Sequence, residues 1–98
     1  MYIVLYEAQP RQWLRDNPDI ADYVRRSIQE VVSIIPRRNK DRVQNPVFVA
    51  EYGRECYIVR MYVQGIGQRA IYYALDEQEV AVVVRIVGRD QNPYRDGG

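Results

Sequence analysis

Four arginines in the second half of the sequence are the residues best suited to chemistry: Arg60, Arg69, Arg85 and Arg89. A guanidinium group stays charged at physiological pH, and its planar set of N–H donors matches the oxygen geometry of a phosphate. Several such groups together would neutralise a phosphate whose charge increases during a reaction. Guanidinium groups are poor bases at pH 7, so proton transfer would need other side chains.

Three apolar runs, residues 56–63, 68–75 and 80–87, predict the strands that would carry these arginines. The runs are rich in Tyr, Ile and Val, which favour a pleated sheet. Short turns between them predict an antiparallel meander, and the last run is apolar enough to be a buried central strand. A polar tail begins at about residue 89.

The register of the first hairpin decides where its arginines point. We expect Val63 to pair with Gln68 across a turn at residues 64–67, and opposed residues of an antiparallel pair share a face. This pairing places Arg60 and Arg69 on the same face of the sheet, with apolar residues on the other face.

The second turn decides the face of Arg85. A turn of even length would bury Arg85 in the apolar face, which costs several kcal/mol unless the charge is paired. We therefore predict a three-residue turn at residues 76–78. It keeps Arg85 beside the other arginines and gives the apolar face Val80, Val82, Val84 and Ile86. Phosphate or sulfate should bind the arginine face, more weakly as salt is added.

The first half of the chain predicts a strand at residues 2–6 and two helices. The first helix spans residues 9–16. The second spans residues 18–35, because Asn17 and the following Pro and Asp are typical of a helix start and apolar residues recur at three- and four-residue steps. Residues 47–50 are expected to form an edge strand or an extended segment. The predicted fold is α+β in the order β-α-α-β-β-β, an antiparallel twisted sheet with both helices on one face.

Composition limits the function classes. The 98 residues predict one domain, 1–98, and its net charge is only +1. The absence of His excludes His-based catalysis and most transition-metal sites, and a single cysteine, Cys56, excludes an internal disulfide. Lys40 is the only lysine among 14 basic residues, a bias that suits phosphate binding but also fits a GC-rich genome. No signal peptide or membrane span is recognisable, so we expect a cytoplasmic protein.

Short motifs in the second half occur in a characteristic order: Cys56-Tyr57, Gly67-Gln68-Arg69, Tyr72-Tyr73, Asp76-Glu77 and Val87-Gly88-Arg89. In this order the sequence resembles the RelE/ParE superfamily of toxin–antitoxin toxins. The resemblance implies a RelE-like toxin, a metal-independent endoribonuclease that cleaves mRNA at the ribosome through attack of the 2′-hydroxyl. It also implies a cognate antitoxin as partner, no cofactor and no membrane association.

The resemblance also implies site residues. Carried over by position, the catalytic residues are Arg60, Arg69, Arg89 and Tyr94. Basic residues beside this face are predicted to bind RNA: Arg38, Lys40, Arg54 and Arg85.

Two other functions stay open. A ParE-like gyrase inhibitor would share the fold, and so would an inactive member that only binds, because fold does not determine function. Ile58 stands where some members have a second basic residue. Candidate general bases are Glu51, Glu55 and Asp90, each of which could instead form salt bridges with Arg54 or Arg89.

Overall fold

The computed structural model describes residues 1–33, 42–43, 46–63 and 66–88. These residues form four strands and three helices in the order β1 (Ile3–Tyr6), α1 (Ala8–Asp16), α2 (Ala21–Val32), α3 (Pro46–Tyr52), β2 (Tyr57–Val63), β3 (Ile66–Leu75) and β4 (Val80–Gly88). The predicted α+β class, with two helices packed on one face of a sheet, is confirmed. Each helix in the described ranges is too short or too polar to cross a lipid bilayer.

The four strands form one sheet in the order β1-β4-β3-β2. β4 is a central strand, as its apolar sequence predicts. β2, β3 and β4 form the expected antiparallel meander, whereas β1 pairs with β4 in parallel, with Ile3 opposite Val80. The sheet is therefore mixed rather than wholly antiparallel. The connection from β1 to the meander contains the helices, so no hairpin constrains the direction of β1.

One face of the sheet, here called the helix face, is covered by α1 and α2. Val24, Ile28 and Val32 recur every four residues along α2 and are completely buried. They pack against sheet residues that include Tyr72 and Ile86. Burying a large apolar side chain contributes about 1.5–3 kcal/mol, so this layer is the main source of stability.

The second helix starts later than its sequence predicts. Asn17 ends α1 instead of capping α2: its side-chain amide donates a hydrogen bond to the Trp13 carbonyl at 2.8 Å. Residues 18–20 form a turn, and α2 begins at Ala21 without a side-chain cap. Asn can cap either end of a helix, because its side-chain amide both donates and accepts hydrogen bonds. The predicted end of this helix, residues 34–35, lies outside the described residues.

Residues 47–50 belong to helix α3, so the predicted extended segment is wrong. Val and Phe favour strands, but this preference is weak and depends on the surroundings. The last residue of α3, Tyr52, packs against apolar residues on the face opposite the helix face, here called the second face.

The hairpin of β2 and β3 is tighter than predicted. Val63 pairs with Ile66 rather than with Gln68, and Arg60 pairs directly with Arg69. The register thus differs from the prediction by two residues. Because side chains alternate with a period of two, every residue keeps its predicted face.

The connection between β3 and β4 has four residues, Asp76 to Glu79, instead of the predicted three, because Leu75 pairs with Val80. The even length puts Val82 on the second face, and Val80 and Val84 lie there as well, contrary to the prediction. A β-bulge then corrects the alternation. The pairing shifts between Ile71 and Tyr72, Val84 is the extra residue, and Ile86 returns to the helix face.

Candidate functional site

The second face is apolar over part of its area. A cluster of buried residues, here called the second-face cluster, consists of Val43, Cys56, Ile58, Ile71, Val82 and Val84. Tyr52, from the end of α3, packs against it. Burial raises the pKa of the Cys56 thiol to about 11, so at neutral pH the thiol is protonated and unreactive. The polar chemistry of the second face is therefore confined to the residues beyond this cluster.

Arg60 and Arg69 lie directly opposite each other on β2 and β3. Directly opposed residues have Cβ atoms about 5 Å apart and point to the same face, so the predicted placement of these two arginines on one face is confirmed, although their direct pairing was not predicted. The Arg60 side chain is exposed and the Arg69 side chain is half-buried. Like charges opposed in this way are destabilising unless an anion lies between them.

The Arg69 guanidinium is held close to the sheet. Its Nε atom is buried and has no hydrogen-bond partner within the described residues. Its Nη1 atom lies 3.4 Å from the position that a Cβ atom would take on Gly67. The guanidinium therefore lies directly against the Gly67 position, where an added Cβ would be in ordinary van der Waals contact with it. A buried donor without a partner costs about 1–3 kcal/mol, a cost typical of groups kept for function.

Arg85 lies on the same face but has protein partners. Its Nε donates to the Tyr52 hydroxyl at 3.0 Å, and Nη2 donates to Oε1 of Glu51 at 3.0 Å. The hydrogen bond to Tyr52 is the main reason why the pKa of Arg85 is raised. Burial raises the pKa of Tyr52, although Arg85 opposes this change. Arg85 therefore joins α3 to the sheet through these two contacts.

Gln9, on α1, fixes the backbone of β4 beside Arg85, a role that the sequence did not indicate. Its side-chain amide donates to the Ile86 carbonyl at 3.0 Å and accepts from the Ile86 N–H at 2.9 Å. β1 ends its pairing at Val83, so the Gln9 side chain takes the place of a neighbouring strand beyond that point. It satisfies backbone groups just after the bulge.

Arg54 is not close to the arginine pair. Its guanidinium lies 4.5 Å from the centre of the Tyr73 ring, a cation–π contact. Tyr73 is four residues from Arg69 on β3, about 13 Å along the strand. The structure therefore does not bring Arg54 together with Arg60 and Arg69.

The carboxylates considered as general bases are engaged elsewhere. Glu51 binds Arg85, whereas Glu55 binds Arg42 at 2.8 Å and accepts a hydrogen bond from the Tyr57 hydroxyl at 2.8 Å. Glu51 and Glu55 therefore form salt bridges, as the alternative interpretation predicted. Their partners are Arg85 and Arg42 rather than Arg54 or Arg89. Within the described ranges, acidic and Cys side chains form no cluster that could hold a metal ion.

Five residues predicted for the site or as a base lie outside the described residues: Arg38, Lys40, Arg89, Asp90 and Tyr94. Their roles stay predictions. Of the other predicted site residues, the structure brings Arg60 and Arg69 together, keeps Arg85 on the same face with its own partners, and separates Arg54.

No protein-family model matches this sequence, and no curated protein matches it. Several solved structures match it. A chain of the intact Escherichia coli RelBE toxin–antitoxin complex matches with a TM-score of 0.64 and 16% identity, over 90% of this chain and 96% of that one. A double arginine-to-alanine mutant of E. coli RelE in the free state matches with a TM-score of 0.64 and 16% identity, over 93% and 86%. The isolated E. coli RelE toxin matches with a TM-score of 0.62 and 18% identity, over 90% and 84%. The chain therefore has the RelE fold.

Proposed function

We propose that this chain, which has the fold of the E. coli toxin RelE, is a RelE-like toxin that cleaves mRNA at the ribosome without a metal ion. The observation that carries the proposal is the pair Arg60 and Arg69, opposed on the sheet face that α1 and α2 leave uncovered. Within the described residues Arg69 forms no ion pair. Phosphate is the anion that best satisfies two adjacent guanidinium groups.

The two arginines supply one of the three requirements for RNA cleavage by its own 2′-hydroxyl. They neutralise the phosphate as negative charge develops on its oxygens. The other requirements are removal of the hydroxyl proton and protonation of the leaving oxygen. Glu51 and Glu55 are held in ion pairs, so we assign these proton transfers to the segment after β4, where the sequence has Asp90 and Tyr94.

An antitoxin partner belongs to the same proposal. One solved structure with this fold is a toxin–antitoxin complex. We propose that this chain is likewise held inactive by a short acidic protein. Coexpression with such a protein encoded beside the toxin gene should yield a stable complex and restore growth.

A binding role without chemistry, such as gyrase inhibition, is the second candidate. Two observations favour it: Arg85 is neutralised by Glu51, and Ile58 is buried where a second basic residue would strengthen a catalytic site.

Brief expression in bacteria, followed by mapping of mRNA 5′ ends, separates these functions. We expect new ends within ribosome A-site codons. Arg60→Ala or Arg69→Ala should reduce them on the order of a hundredfold, the usual cost of one electrostatic donor. Arg26→Ala is the matched control, because Arg26 is an exposed arginine on α2. A DNA-damage response without new mRNA ends would instead support gyrase inhibition.

A further inference from the structure

Tyr62 is the most exposed aromatic side chain that the structure describes. It lies near the end of β2 and is 68% exposed. Aromatic rings are usually buried, because they carry a large apolar area. Tyrosine is enriched at binding interfaces, because its ring is apolar and its hydroxyl can form hydrogen bonds.

The position of Tyr62 is defined by its neighbours. It follows Arg60 by two residues, so both side chains lie on the second face, and it pairs with Gly67. A Cβ atom on Gly67 would lie 3.7 Å from Cε1 of Tyr62 and 3.4 Å from Nη1 of Arg69. The tyrosine ring and the Arg69 guanidinium therefore lie side by side over the same glycine.

The backbone at this point is also fixed. The Tyr23 hydroxyl, on α2, donates a hydrogen bond to the Tyr62 carbonyl at 3.3 Å. This contact joins the end of β2 to the helix layer. The exposed ring thus stands on an anchored strand.

We propose that Tyr62 stacks on one base of a single-stranded RNA whose adjacent phosphate binds Arg60 and Arg69. This inference rests on the proposed function and adds a base-binding subsite to it. Arg60 and Tyr62 are about 7 Å apart along β2, a spacing that lets one nucleotide reach both. Single-stranded RNA offers a repeating anion and an unpaired aromatic face, the two features that this surface complements.

RNA whose 2′-hydroxyls are methylated tests the subsite, because it cannot be cleaved through those hydroxyls. Binding of a labelled ten-nucleotide strand to the full chain is measured by fluorescence anisotropy over a range of salt concentrations. We expect Tyr62→Ala to weaken binding about tenfold or more without changing the salt dependence, since stacking involves no counterions. Tyr62→Phe and Tyr62→Trp should bind within about threefold of the parent chain, because both keep a stacking ring.

The controls separate stacking from other effects. Leu5→Ala removes another exposed apolar side chain, on β1, and should leave the affinity unchanged. Arg69→Ala should reduce the slope of log affinity against log salt by about one, as expected for one lost phosphate contact. Replacing one nucleotide by an abasic unit should weaken binding to the parent chain but not to Tyr62→Ala.

Each outcome decides a different point. Binding that needs Arg60 and Arg69 but is unchanged in Tyr62→Ala overturns the stacking subsite and leaves the proposed function intact. A parent chain whose binding does not depend on Arg60 and Arg69 overturns both the subsite and the phosphate-binding role.

Discussion

The two faces of the sheet use the same strands for opposite purposes. The helix face holds the larger apolar core and is closed by α1 and α2. The second face is divided between the second-face cluster, near the end of α3, and a polar part that contains Arg60, Tyr62 and Arg69. Stability is thus concentrated on one face, and the residues suited to binding lie on the other.

This difference shows how a small domain can retain side chains that lower its stability. The buried Nε of Arg69 has no partner within the described residues, and a buried donor of this kind reduces stability. The helix face must offset this cost, because a domain of this size has only about 5–15 kcal/mol of net stability. We therefore expect substitutions on the two faces to have very different effects.

The largest effect is expected for Ile28→Asp on the helix face. Ile28 is completely buried, so a carboxylate there would lie without a partner in the apolar core. We expect a loss of at least about 4 kcal/mol, which is most of the net stability of a domain near the lower end of that range. Urea denaturation followed by circular dichroism measures it.

Gln29→Asp is the matched control, since Gln29 is the exposed neighbour on the same helix. It should cost less than about 1 kcal/mol, mainly through the lower helix propensity of Asp. If Ile28→Asp unfolded cooperatively near the parent midpoint, the helix face would not be the main source of stability.

A smaller effect, confined to alkaline pH, is expected from the second-face cluster. The pKa of Cys56 in the folded protein is about 11, above its ordinary value of 9.0. The neutral thiol is favoured by folding, so its contribution is complete below pH 9 and is lost as pH rises from 9 to 11.

Urea denaturation at pH 7 to 11 tests this contribution. The stability of the parent chain should decline more steeply between pH 9 and 11 than that of Cys56→Ala, which has no thiol to ionise. Equal declines in the two proteins would show that the thiol is not buried in the apolar cluster as the structure has it.

The smallest effects are expected for two arginines of the second face. Arg85→Ala removes the contacts with Tyr52 and Glu51 and should cost about 1 kcal/mol, a low value because the ion pair is partly exposed. Arg69→Ala removes a partnerless buried Nε and a like-charge contact, so stability should change by less than about 0.5 kcal/mol or rise slightly.

For RNA cleavage, the two substitutions should rank in the opposite order. Arg69→Ala should abolish most activity, and Arg85→Ala should retain it within a few-fold. Thermal denaturation and mRNA end mapping on both variants provide the two measurements. A stability loss for Arg69→Ala as large as for Arg85→Ala would remove the distinction between a binding arginine and a structural one.

Sequence alone predicted the parts of this arrangement that depend on side-chain alternation. The shared face of Arg60 and Arg69 survives a register error of two residues, because a shift of two leaves every side chain on its face. The helix stripe of α2 was predictable for a similar reason, since Val24, Ile28 and Val32 follow the helical period.

The turn after β3 was not predictable in this way. Glu79 adopts a φ of 53°, a left-handed conformation that Gly or Asn would ordinarily signal. Four residues therefore fit where three were expected. The resulting change of face is reversed only by the bulge at Val84, in the pairing of β4 with β3.

Tyr62 and Glu51 show the same limit for the site. Neither residue stands out in the sequence, and the function of each follows only from its neighbours in the fold. Tyr62 stands beside Arg69 because both flank Gly67, and Glu51 meets Arg85 because α3 lies over β4. Glu51 and Arg85 are 34 residues apart in the chain, so no local pattern records their contact.

The sequence by itself determined the fold class, the identity of the central strand and the common face of the arginines. It could do so because these depend on periodicity and on the cost of burying charge, both of which are local properties of the chain. The tertiary structure alone decided the parallel pairing of β1, the helical state of α3 and the hydrogen bond that joins Arg85 to Tyr52. Contacts between distant segments determine these features, so no local pattern in the sequence could predict them.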